Sequence, residues 1–133
     1  MLFVYLLEAN PAHGQRTKEI RAKMVDRGDT LCTSIFTLGE LLAGTYKERA
    51  QDVAAGICET VQPPVVELLP FTMETAERYA RIRADHGVTP GDAIHLATAS
   101  LAGANLFLTN DLKLSKLTIP GIDFIAGLNV NLF

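Results

Sequence analysis

Apolar positions along this chain follow two rhythms. Short continuous apolar runs occur at Leu2 to Leu7 and Leu106 to Leu108, with strand-like stretches at Thr30 to Ser34, Val65 to Leu69 and Ile122 to Ile125. Between them lie longer segments whose apolar residues recur every three or four positions, the period of one helix face. These segments are His13 to Arg27, with Ile20 and Met24 on one face; Phe36 to Tyr46, with Leu38, Leu41 and Leu42; and Glu48 to Thr60, with Val53, Ala54, Ile57 and Cys58. A further helix starts at a Thr72 cap and ends at His86, with Met73, Ala76, Tyr79 and Ala80 expected inward. Gly28 and Gly87 stop two of these helices, and Pro63-Pro64 breaks a third. For Leu2 to Leu7 periodicity does not separate a strand from a short buried helix.

The clearest stretch is Thr89 to Asp111, TPGDAIHLATASLAGANLFLTND. Pro90 suits the first helical position, so Thr89 is the expected N-cap and Asp92 stands at capping-box spacing from it. Ala93, Ile94, Leu96, Ala97 and Leu101 make this helix largely apolar, and Gly103 is placed to end it. The run Leu106 to Leu108 reads as an inner parallel strand that stops at Thr109, Asn110 and Asp111. After it come a short helical turn at Leu112 to Leu117 and a final edge strand at Ile122 to Ile125. Strands alternating with helices predict right-handed βαβ units and a mostly parallel sheet with helices on both faces.

Composition narrows the picture. A chain of 133 residues makes one domain, and 48% hydrophobic residues suffice for a layered core and an apolar homodimer surface. A net charge of -3 gives no global signature of nucleic-acid binding, so such binding would rest on local patches. The cations Arg16, Lys18, Arg21, Lys23 and Arg27 make the first helix basic, and taken alone they are better explained as a solvated helix face. Cys32 and Cys58 suggest neither a disulfide framework nor a zinc cluster, and fit a reducing cytoplasm. The run Met1 to Leu7 is too short to span a bilayer and lacks the features of a signal peptide.

Three acids carry the candidate chemistry. Glu40, Asp92 and Asp111 each fall near a junction of strand and helix, and functional groups gather at the carboxyl ends of strands in open α/β sheets. Such a carboxylate cluster needs cations, and an all-oxygen donor set suits Mg²⁺ or Mn²⁺. Each acid also has an ordinary role: Asp92 as helix cap, Asp111 as strand-end turn, Glu40 as cap or surface residue. For Glu40 two placements compete: it closes a capping box with Thr37, or Ser34 caps the helix and Glu40 lies one turn in. There is no glycine-rich phosphate loop or dinucleotide fingerprint, and His13, His86 and His95 show no zinc spacing. His95 lies one turn beyond Asp92, placed to donate to a carboxylate or to pack as a hydrogen-bonded core histidine.

The strings SIFTLGELLAG, TPGDAIHLATA and LFLTNDLKL, in this order, resemble the motifs of PIN-domain proteins, especially the VapC-type ribonuclease toxins of type II toxin–antitoxin systems. YLLEANPAH resembles the family's first helix, and LLPFTMETAERYARIRADHG the segment before the third motif. The resemblance implies a PIN-like three-layer α/β/α domain over residues 1–133 with about five strands in a mostly parallel sheet. It implies metal-assisted cleavage of RNA by Mg²⁺ or Mn²⁺, a cognate antitoxin and a homodimer. Glu40, Asp92 and Asp111 map onto metal-binding acids, and Thr109 onto the hydroxyl residue beside the metal. Lys113, Lys116 and the basic first helix would flank the RNA.

One departure stands out. The family opens with an apolar strand ending in Asp-Thr or Asp-Ser, and by the resemblance Met1 already lies past it. The expectation is a truncated first strand, a missing first acid, and in-frame coding sequence upstream. A PIN-fold interaction protein without strong catalysis is therefore the alternative reading. A phosphoacceptor or phosphatase domain also uses clustered acids and Mg²⁺, but needs a nucleophilic aspartate after the first strand, and none is visible.

Overall fold

In the computed structural model the described residues are 2–5, 14–64 and 66–127, with side chains described for 18–64 and 66–127. Five strands, β1 (Leu2–Tyr5), β2 (Thr30–Ser34), β3 (Glu67–Leu69), β4 (Leu106–Thr109) and β5 (Phe124–Gly127), form one sheet in the order β3-β2-β1-β4-β5. Every pairing is parallel. Five helices connect them: α1 (Gly14–Arg27), α2 (Ile35–Lys47), α3 (Gln51–Thr60), α4 (Met73–His86) and α5 (Pro90–Ala102).

The central slot, expected to lack its strand because the resemblance put Met1 past it, is filled by the chain's own first described residues. Leu2–Tyr5 itself is the central strand, with Val4 in register with Cys32 on one side and Phe107 on the other. A central parallel strand must satisfy backbone N–H and C=O groups along both edges. The apolar run LFVY suits this position, since inner parallel strands read as continuous apolar runs. Tyr5 therefore ends a strand rather than opening a helix, and the rest of the YLLEANPAH string lies outside the described residues.

Strand alternation sorts the sheet into two cores. Cys32 and Phe107 pack with Ala93, Leu96, Ala97 and Ala99 of α5 and Ile82 of α4. Leu106, Leu108 and Leu31 pack with Ile20 and Met24 of α1 on the opposite face. The strand order reverses between β1 and β4, which makes their carboxyl ends the switch point where open α/β sheets bind ligands.

Local signals explain most helix ends. Thr72 and Thr75 form a reciprocal capping box at α4, and Gly87 and Gly103 adopt left-handed conformations at the ends of α4 and α5. The inward face of α4 differs from expectation. Met73 is 90% exposed and Ala76 and Ala80 are exposed, whereas Thr75 and Ile82 are buried and Tyr79 and His86 half-buried. The positions 75, 79, 82 and 86 make the helical stripe, and the capping threonine Thr75 starts it. In α3 Ala54 is buried, but Val53 and Cys58, expected inward, are exposed.

Candidate functional site

The carboxyl ends of β2 and β4 and the first turn of α5 supply the candidate residues. At β2, Ser34 keeps extended geometry (φ -75°, ψ 150°) and its Oγ accepts the Thr37 N–H at 3.2 Å. Ser34, not Thr37, is therefore the cap of α2, and Glu40 lies in the second turn. The Glu40 side chain is 57% exposed, and its Oε1 lies 3.2 Å from His95 Nε2.

His95 is 7% exposed and bonded on both ring nitrogens. Nδ1 lies 3.0 Å from Ser34 Oγ and 3.5 Å from Thr37 Oγ1, and the Phe36 ring tilts against the imidazole at 5.7 Å. Both roles weighed for this residue hold together: it is a packed core histidine and it contacts a carboxylate. Sequence reasoning did not foresee the Ser34 contact, because it joins residues 61 apart.

Asp92 occupies the first turn of α5. Thr89 Oγ1 accepts the Asp92 N–H at 3.3 Å, so the N-cap is where the sequence put it. The Asp92 side chain is half-buried and forms no hydrogen bond or ion pair among the described residues. It stands at the helix N-terminus, where the dipole and unpaired N–H groups favour negative charge.

Asp111 is held by its own turn. Its N–H donates to Thr109 Oγ1 at 3.0 Å, its Oδ1 accepts the Lys113 N–H at 2.8 Å, and its carbonyl accepts from Leu114 N at 3.1 Å. Thr109 is 1% exposed, while Asp111, Lys113 and Lys116 are exposed. On the opposite face of the sheet, Lys18 and Lys23 of α1 are exposed and Arg27 pairs with Asp29 at 3.2 Å.

The structure thus links Glu40 to α5 through His95, and leaves Asp111 on a separate turn at the same edge. Among the described residues no three of the His, Cys, Asp and Glu side chains are grouped closely enough to hold a metal ion. The donor chemistry nevertheless fits a hard divalent cation. The three acids offer carboxylate oxygens, and Mg²⁺ is usually held by one or two carboxylates, waters and substrate phosphate rather than by a closed protein cage. Cys32, two residues before Ser34, is not a competing soft ligand. Burial, and then the facing Glu67 carboxylate, push its thiol from 9.0 up to about 11.

The PIN-domain family model matches residues 2–119, and the chain belongs to the PIN-domain family. A comparison with curated proteins gives no match. Solved structures share the fold. The chain is 16% identical to a chain of VapBC2 from Rickettsia felis bound to a DNA fragment from its promoter, with a TM-score of 0.75 over 96% of this chain and 98% of that one. It is 25% identical to a chain of DNA-bound VapBC from Salmonella typhimurium, with a TM-score of 0.69 over 96% and 99%. For a toxin–antitoxin complex from Klebsiella pneumoniae the identity is 22% and the TM-score 0.57, over 91% and 93%. Among the described residues no helix is long and apolar enough to cross a membrane.

Proposed function

We propose that this PIN-domain chain is a Mg²⁺- or Mn²⁺-dependent endoribonuclease and the toxin of a type II toxin–antitoxin pair, of the VapC type, acting in the cytoplasm. The observation that carries the reading is the position of the three acids. In a PIN-family chain, Glu40, Asp92 and Asp111 belong to the carboxyl edge of a parallel sheet, beside its switch point. Glu40, Asp92 and Asp111 hold the ion directly or through water. A bound divalent ion supplies a nucleophilic water at neutral pH and charge stabilisation for a phosphodiester.

The remaining roles belong to the chain's own groups. Thr109 Oγ1 fixes the Asp111 backbone and keeps its own proton to orient a water or a phosphate. Lys113 and Lys116 are exposed beside Asp111 and attract the RNA backbone, a local patch on a chain of net charge -3. The Rickettsia felis and Salmonella typhimurium complexes support a cognate antitoxin as partner. The exposed apolar side chains Ile35, Phe36, Tyr46 and Val53 on α2 and α3 offer surface to that partner or to a second copy in a homodimer.

The second reading, a PIN-fold interaction protein with impaired catalysis, is favoured by one observation: no group of three metal-ligating side chains forms among the described residues. Incubating the purified chain with RNA and Mg²⁺ or Mn²⁺, with and without EDTA, separates the two. Cleavage that EDTA abolishes is expected. Intact RNA under both metals, with a folded chain that still binds an antitoxin, would establish the interaction protein instead.

A further inference from the structure

We infer that His95 is a positioning residue. Its Nε2–H holds the Glu40 carboxylate against the first turns of α5, while the hydroxyls of Ser34 and Thr37 hold the ring at Nδ1. The inference rests on the reading of Glu40 as a metal ligand, whereas the contacts of the ring do not.

Ser34 Oγ accepts the Thr37 N–H at 3.2 Å and lies 3.4 Å from Thr37 Oγ1 and 3.0 Å from His95 Nδ1. Thr37 Oγ1 accepts from Thr33 Oγ1 at 3.0 Å and lies 3.5 Å from the same nitrogen. Two hydroxyls therefore hold the ring at Nδ1, whichever way their protons point. Nε2 faces Glu40 Oε1 at 3.2 Å, and a carboxylate accepts from N–H.

The placement gives the contact a consequence. Asp92 and His95 are three residues apart on α5, neighbours on one helix face. Helical side chains also lean toward the N-terminus, so the imidazole covers the turn that carries Asp92. His95 therefore joins an exposed, rotamer-rich glutamate of α2 to the helix that bears the second acid, across 55 residues of sequence. Hydrogen bonds of this kind orient ligands, and their loss lowers metal affinity by roughly 10–100-fold. Glu40 keeps Oε2 for the ion, because only Oε1 faces the ring.

Two measurements test this. Imidazole ¹⁵N–¹H correlation spectra of the metal-free protein should show His95 carrying a proton at Nε2; an Nε2 without a proton overturns the inference, whatever the protein's activity. Mn²⁺ titration followed by electron paramagnetic resonance should show affinity falling by roughly tenfold or more in His95→Leu. In His95→Gln, whose side-chain amide can still donate to Glu40, affinity should recover most of that loss. Equal loss in both variants, with both folded by circular dichroism, would reduce His95 to a packing residue. If Glu40→Gln leaves Mn²⁺ affinity unchanged, the ligand reading of Glu40 fails and the positioning role with it, whereas the Nε2 proton result stands.

Discussion

Two carboxylates at one edge of this sheet are held in opposite ways. Asp111 is fixed by its immediate neighbours: Thr109 takes its N–H and Lys113 caps its Oδ1, all within two residues. Glu40 is fixed by a histidine 55 residues away, itself oriented by the end of β2. The first device forms as soon as the turn forms. The second exists only once α5 has packed over β2. One site residue therefore depends on local chemistry, and the other reports on the assembly of the whole domain.

The substitution that removes both at once lies beneath them. Phe107 is fully buried where β4 meets α5. Phe107→Ala should cost about 3–5 kcal/mol, a large share of the roughly 5–15 kcal/mol available to a domain. Urea denaturation measures it; a loss below about 1 kcal/mol would show that α5 does not depend on this contact.

A smaller change separates the two edges. Ser34→Ala deletes the cap of α2 and a hydrogen-bond partner of His95 together, and should cost about 1–3 kcal/mol. Its nuclear magnetic resonance shifts should reach Glu40 and His95 but leave the Asp111 turn unchanged. Thr109→Val is the converse. It keeps shape, removes one acceptor from the Asp111 N–H and should cost about 0.5–1.5 kcal/mol, with faster amide exchange confined to Asp111 and its neighbours. Shifts at His95 in Thr109→Val would show that the edges are coupled after all.

The same contrast governs what the sequence revealed. Thr89, Pro90 and Gly103 delimit α5 by local rules, and the structure keeps all three roles. The apolar run of β4 is likewise legible, because an inner strand is buried on both faces. The inward stripe of α4 was misread because Thr75 serves as both cap partner and core residue, and a polar threonine does not advertise burial. The role of Leu2–Tyr5 was not legible, since periodicity left the run open between strand and helix and the resemblance placed the first strand before it, while sheet pairing on both sides makes it the central strand. The partnership of Ser34, His95 and Glu40 is tertiary, and no spacing encodes it.

The smallest effect concerns Cys32, which shares β2 with Ser34. Its folded-state value of about 11 lies above the ordinary 9.0, so the folded protein holds this proton more tightly. The associated stability is fully present below pH 9.0 and is lost as pH rises through about 11. Urea titrations across that window should show a decline that Cys32→Ala lacks. At pH 8 an alkylating reagent should modify exposed Cys58 and spare buried Cys32. Equal modification of both would mean that β2 opens readily.

The most direct test of the account is RNA cleavage by Asp92→Asn in Mg²⁺. This side chain forms no hydrogen bond or ion pair among the described residues, and losing its charge at a helix N-terminus should cost only about 0.3–1 kcal/mol. The variant should therefore fold and melt nearly as the parent does, yet lose metal-dependent cleavage. A folded Asp92→Asn protein that cleaves RNA at the parent rate would contradict a metal-dependent nuclease site at this edge.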